Sequence, residues 1–194
     1  MNENISQAIE VLREGGIVIL PTDTAFGICC RMDNEKAIKR LFAIRKRPET
    51  KATPVLVSSK EMAKEYLLDI PQRVKDELSG RYWPGALTIV LPCKTEKVPE
   101  LVRGKGNNLG VRMPNHETAL AIIKGVGVPI LGPSANFHGE NTPFRVEDLD
   151  SQLVELVDYV VEGECSAAGK ASTVIDCSID PWKILRQGAI QLTI

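Results

Sequence analysis

Ile17-Val18-Ile19-Leu20 runs into Pro21-Thr22-Asp23-Thr24, and Ile130-Leu131 is followed closely by Pro133-Ser134-Ala135-Asn136. These two stretches decide the fold class. Each passes from a short apolar run, of the kind a sheet buries on both faces, into small polar residues. Small hydroxyl and amide side chains at a strand end offer hydrogen bonds without filling the space a ligand needs. In α/β sheets, ligands bind in the crevice at the carboxyl ends of strands. Two such ends in one chain point to one shared ligand site.

Working outward, Ile5, Ala8, Ile9 and Leu12 follow helical spacing, and Gly15-Gly16 stops that helix. A second strand is expected over 26–30. Asp33 can cap a helix whose apolar stripe is Ala37, Ile38, Leu41 and Phe42. Residues 54–57 read as a buried strand. Ser58 and Glu61 have capping-box spacing for the helix that follows. A helix is expected over 71–79, strands over 87–91 and 109–112, and a helix capped by Asn115. Strands over 128–131, 159–161, 172–175 and 184–186 complete the pattern. The alternation of helices and strands indicates an α/β fold, and the strand-rich final third indicates a mixed sheet. With no repeat and no Ser/Gly linker, residues 1–194 are expected to form one domain. The polar, glycine-containing stretch 94–108 reads either as a solvated loop or as a mobile loop near a site.

Composition narrows the function. Hydrophobic content of 43% and charged content of 25% suit a globular protein with a real core. Aromatics at 5% leave little material for stacking on single-stranded nucleic acid. A net charge of −1 does not imply strong nonspecific binding to nucleic acid or acidic membranes. Five cysteines without a CxxC, and two histidines, argue against structural zinc. Cys29 and Cys177 read as buried reduced thiols. No apolar run reaches the ~20 residues of a membrane span, and the amino terminus lacks a secretory pattern. No membrane association is expected, and the cytoplasm is the expected location.

Arg45-Lys46-Arg47-Pro48, with Lys51 shortly after, has two readings. Cations at a helix end complement its dipole; equally, Arg forks and a Lys point charge make a polyphosphate clamp. No GxxxxGK[ST] and no GxGxxG occurs, so a nucleotide would need scattered cations, hydroxyls and strand-end backbone. Trp83-Pro84-Gly85 reads as a packing corner before a strand. Arg112, at a strand end, suits a carboxylate substrate or a surface ion pair. Asp23, the one carboxylate of the first strand-end loop, either ligates Mg2+ or caps a turn. His138 reads as a solvated loop residue or as a pocket residue. No Ser-His-Asp arrangement is supported.

Taken together, the motifs resemble the YrdC family, the threonylcarbamoyl-AMP synthases of tRNA modification, essentially end to end. Pro21-Thr22-Asp23-Thr24-Ala25-Phe26-Gly27 resembles P-T-[DE]-T-x-[YF]-G, and Arg45-Lys46-Arg47-Pro48 stands where the family has K-x-R-P. Residues 83–88, 111–114, 133–136, 172–176 and 186–188 match the remaining motifs in order. The ordered set is specific where each motif alone is weak.

The resemblance implies a twisted, mostly mixed sheet with flanking helices around a concave cavity. It implies condensation of L-threonine, bicarbonate or CO2, and ATP to threonylcarbamoyl-AMP and pyrophosphate, with Mg2+ held mainly by the ATP phosphates. A downstream threonylcarbamoyl-transferase complex would take the product, and weak tRNA binding is compatible with the family. Thr24, Arg112, Gly132 and Ser172 would contact threonine. Arg47, Lys51, Asn108, Ser134, Thr142 and Arg186 would contact ATP. Arg45, Arg47, Ser134 and Asn136 would be the catalytic group. Arg45 departs from the family lysine: it keeps the charge and changes the shape. The alternatives are a noncatalytic RNA-binding module of the same fold, and the related carbamoyl-transfer domain of hydrogenase maturation proteins. The latter would bring acylphosphatase and zinc-finger segments that this sequence does not supply.

Overall fold

The computed structural model describes residues 3–166 and 169–193. The apolar stripe of α1 (Glu3–Arg13) buries Ala8, Ile9 and Leu12. It packs with Ala119, Ile122, Ile123 and Val126 of α7 (Glu117–Val126) in one core cluster. A larger cluster includes Ala37, Ile38, Leu41 and Phe42 of α2 (Glu35–Ile44), the stripe legible in the sequence. Burying such side chains at about 25 cal/mol per Å2 of apolar surface is what holds these helices on the sheets.

Nine short strands form two sheets among the described residues. The first holds β1 (Val18–Leu20) between β2 (Gly27–Cys29) and β7 (Tyr159–Val160). The second has the order β6-β3-β5-β4-β8-β9. Its members are β3 (Val55–Leu56), β4 (Leu87–Pro92), β5 (Asn108–Arg112), β6 (Ile130–Leu131), β8 (Thr173–Asp176) and β9 (Lys183–Arg186). Both sheets mix parallel and antiparallel pairs, the mixed α/β architecture expected.

The sheets meet along a seam. Ile28 N donates to Pro133 O at 3.0 Å, Ala135 N to Phe26 O at 2.8 Å, and Leu131 N to Cys30 O at 2.8 Å. The two polar runs that opened the sequence reading are therefore neighbours. The mixed pairing also decides what gathers at one sheet edge. β3 and β5 run parallel and end there at Leu56 and Arg112. Antiparallel β4 begins there, β8 begins beside it with Thr173 opposite Leu87, and β9 returns there at Arg186. The site thus draws on strand starts as well as the strand ends expected.

Several local expectations shift by a residue. Asn34, not Asp33, caps α2, with its side chain accepting from Ala37 N at 3.0 Å; Asp33 is engaged by Arg31 instead. Ser59, not Ser58, caps α3 (Lys60–Tyr66). His116, not Asn115, caps α7 through Nδ1. The helix expected over 71–79 runs on as α4 (Gln72–Val74), a π-helical turn (Lys75–Ser79) and α5 (Gly80–Tyr82). The stretch 94–108 is neither free nor structureless. It contains α6 (Glu100–Arg103), buries Val98 and Val102, and bonds Thr53 N through Val102 O at 3.0 Å. Trp83 is the packing corner expected, buried with its indole N–H on Leu87 O at 2.8 Å. α8 (Ser151–Val154) leads into β7. All five cysteines are free thiols, and Cys29 and Cys177 are buried as expected. Among the described residues no helix is long and apolar enough to cross a membrane.

Candidate active site

At the seam lies an open cleft of about 150 Å3. Thr22, Thr24 and Phe26 come from the β1–β2 connection; Gly132, Pro133 and Ser134 from the segment after β6; and Thr88, Ser172 and Arg186 from the β4–β8–β9 edge. Arg45, Arg47, Arg112 and Thr142 complete its polar wall, with Pro54 and Leu56 as an apolar patch. Among the described residues four arginines line it and no carboxylate does.

Arg45 is 3% exposed, just past the end of α2. Its Nε donates to Asn136 O at 2.9 Å and Nη2 to Asn136 Oδ1 at 3.1 Å. Nη1 is buried with no hydrogen-bond partner among the described residues. Burial, then the charge of Arg47, pulls its pKa down to about 10. A buried guanidinium with no carboxylate and one idle nitrogen is costly, and an anion bound beside it removes much of that cost. Asn136 is the strut: its Oδ1 also accepts from Ser134 Oγ at 2.6 Å, and its Nδ2 donates to Glu140 O.

Arg47 is half-buried, and burial lowers its pKa. It donates to the carbonyls of Lys51 and Ala52, and Nη1 lies 3.5 Å from His138 Nδ1. Lys46 between the two arginines has φ 51°, so Arg45 turns inward while Lys46 lies over the Phe137 ring at 4.7 Å. The helix-end motif thus serves the cleft with its arginines and the surface with its lysine.

Arg112, 6% exposed, is held on three sides. Nε donates to Gly85 O at 3.1 Å, Nη1 to Thr24 Oγ1 at 2.7 Å, and Nη2 pairs with Asp23. Asp23 is thus committed to Arg112, its carboxylate 9% exposed. Burial lowers the Arg112 pKa, and Asp23 opposes that. Across the cleft, Arg186 donates to Ser172 O at 3.0 Å and to Ser172 Oγ at 3.1 Å. Ser172 Oγ in turn lies 3.0 Å from Thr88 Oγ1. Burial lowers the Arg186 pKa.

Gly132 is required by packing: a Cβ there would stand 2.4 Å from Leu56 Cγ. Among the described residues no group of three or more His, Cys, Asp or Glu could hold a metal ion.

The Sua5/YciO/YrdC family model, described as "Telomere recombination", matches residues 10–188. The chain belongs to that family. A Sua5/YciO/YrdC relative from Bacillus subtilis (strain 168), named threonylcarbamoyl-AMP synthase, is 34% identical over 186 residues, 96% of this chain and 54% of its own length. A relative of the same name from Aliivibrio fischeri (strain ATCC 700601 / ES114) is 30% identical over 96% of this chain and 100% of its own. The crystal structure of Pyrococcus abyssi Sua5 complexed with L-threonine superposes with a TM-score of 0.88 at 34% identity, covering 95% of this chain and 54% of that one. The chain spans about half the length of the Bacillus and Pyrococcus proteins and the whole of the Aliivibrio one.

Within the Sua5/YciO/YrdC fold, Thr24, Arg45, Arg47, Arg112, Gly132, Ser134, Thr142, Ser172 and Arg186 converge on the cleft. Three expected residues do not line it. Asn136 stands behind Arg45. Lys51 is exposed, and only its carbonyl reaches Arg47. Asn108 lies at the far end of β5, four residues or roughly 13 Å from Arg112, bonded to Ser178 Oγ at 2.8 Å. Thr22 and Thr88 were not expected at the site. Both stand inside motifs quoted above, so hydroxyls within those motifs were the available signal.

Proposed function

We propose that the chain catalyses formation of L-threonylcarbamoyl-AMP and pyrophosphate from L-threonine, bicarbonate or CO2, and ATP, as a nucleotidyltransferase. The carrying observation is that, among the described residues, Nη1 of buried Arg45 has no partner and the cleft is lined by four arginines and no carboxylate. Such a cleft suits a polyanion, and its hydroxyl-rich end suits a small polar amino acid. In this reading Arg45, Arg47, Ser134, Thr142 and Arg186 take ATP, with Asn136 holding Arg45. Thr24, Arg112, Gly132 and Ser172 take threonine, and the L-threonine bound to the Pyrococcus relative supports that half. Lys51 and Asn108 serve only a part of ATP that extends beyond the cleft.

The threonine amino nitrogen, as the free amine, adds to CO2 and releases an N–H proton to solvent, giving a carbamate anion. A carbamate oxygen then attacks the α-phosphorus while the bond to the β-phosphate's bridging oxygen breaks, releasing pyrophosphate. Both partners in that attack are anionic. Arginines that are already buried and fixed counter their repulsion without reorganising. Positioning alone supplies about 7–11 kcal/mol of such a barrier. Mg2+ would arrive on the ATP phosphates, since no group of three or more His, Cys, Asp or Glu gathers among the described residues. The reading takes residues 1–194 as one YrdC-like domain working in the cytoplasm, its product passing to a threonylcarbamoyl transferase that acts on tRNA. Incubation with all substrates and Mg2+, followed by mass detection of the adenylate, tests it; a product lacking the threonyl mass rejects it.

A further inference from the structure

A second cavity, of about 170 Å3, lies outside the arginine cleft. Lys60 and Lys64 of α3 and Lys75 and Ser79 of the π-helical turn line it, together with Ile70 and Trp83. Nothing in the proposed chemistry uses it.

Four observations bear on what it takes. An apolar cavity of roughly 150 Å3 holds one benzene-sized ring, and Ile70 and Trp83 provide such a floor. The ammonium groups of Lys60, Lys64 and Lys75 have no ion-pair or hydrogen-bond partner among the described residues. Of the acids on the helical segment that carries Lys75, Asp76 is engaged by Gln72 at 2.9 Å and Glu77 by Arg73 at 3.0 Å, while Glu61 and Glu65 stand on α3 beside Lys60 and Lys64. Ser79 is 4% exposed, and its hydroxyl has no partner among the described residues. Finally, Lys75 and Ser79 bound a π-helical turn, a rare distortion found often at functional sites.

We infer that this cavity is a second binding site, for a small aryl anion: one ring carrying a phosphate or carboxylate. The ring lies on Ile70 and Trp83. The lysines lay their methylenes along it and keep their charges at the mouth, where the anionic group sits. Ser79 hydrogen-bonds an oxygen of the ligand. Trp83 leads through Pro84 to Gly85, whose carbonyl holds Arg112, so the occupant sits close to the wall of the main cleft.

The test follows the Trp83 indole N–H resonance, with Trp182→Phe separating it from the protein's other tryptophan. Phenyl phosphate should move it saturably. Lys60→Gln/Lys64→Gln/Lys75→Gln should weaken that binding about tenfold or more, with the remaining spectrum unchanged. Ser79→Ala should weaken it about threefold, a second check on a folded protein. Phenol should bind at least tenfold more weakly. A resonance that never moves overturns the inference. So does equal binding by inorganic phosphate or by phenol. Binding that survives the triple lysine change also overturns it, because the anion is then seated in the arginine cleft.

Discussion

Replacing Arg45 with Met separates a ligand-binding charge from a structural one. Burial, and then the charge of Arg47, depresses the Arg45 pKa to about 10, and at about 1.4 kcal/mol per pKa unit the charge costs the ligand-free protein about 3 kcal/mol. The substitution removes that cost and fills a similar volume. It also strips two donors from Asn136. Asn136 Oδ1 keeps the Ser134 hydroxyl at 2.6 Å, while the main-chain oxygen is left unpaired, a loss of about 1–3 kcal/mol. The balance lies between zero and about +2 kcal/mol, or a Tm rise of up to about 6 °C for a chain of this size. ATP loses a charge-assisted contact of about 1.5–3 kcal/mol, so its Kd rises roughly tenfold to a hundredfold. Scanning calorimetry of the free protein and titration calorimetry with ATP measure both. A Tm drop above about 6 °C with ATP affinity unchanged would show Arg45 to be a strut and refute the reasoning.

Other outcomes follow from the same geometry. Arg112→Lys should weaken threonine about tenfold or more and leave ATP within about threefold, since one ammonium cannot serve Gly85, Thr24, Asp23 and a carboxylate together; separate Kd measurements decide, and a larger loss for ATP reverses the ligand assignment. Gly132→Ala should cost about 1–3 kcal/mol and drive Leu56 into the cleft, because the new Cβ meets Leu56 Cγ at 2.4 Å; unchanged denaturation and threonine binding would contradict this. Asp158, held by Arg40 and by Ile17 N at 2.7 Å, has its pKa lowered. Its contribution is therefore complete above about pH 4, the unfolded carboxylate value, and fades as pH falls through the lower folded value. The stability gap between wild type and Asp158→Asn, followed by urea titration, should shrink in that acid window and stay constant from pH 5 to 7.

The strands, the helix stripes and most of the cleft were legible because they are local patterns. Ile17-Val18-Ile19-Leu20 and the stripe on α2 need only the periodicity of apolar residues, and the polar runs after β1 and β6 stand out by composition. The capping residues were misplaced by one position. Asp33 and Asn34 are both good caps, and only the turn of the chain decides which side chain meets the helix amides. The Asp23–Arg112 pair joins residues 89 apart and has no local signature. Asn108 appears in sequence beside Arg112, but an extended strand carries it to the opposite sheet edge. The stretch 94–108 looks like free loop because two well-separated valines, Val98 and Val102, anchor it.

The central claim is that the arginine cleft joins threonine, CO2 and the adenylyl group of ATP. Pyrophosphate release, measured with each substrate omitted in turn, tests it most directly. The account predicts release only when ATP, L-threonine and bicarbonate are all present, with an Arg45→Met protein slowed tenfold or more. Equal release without threonine, or an unimpaired Arg45→Met protein, would contradict it.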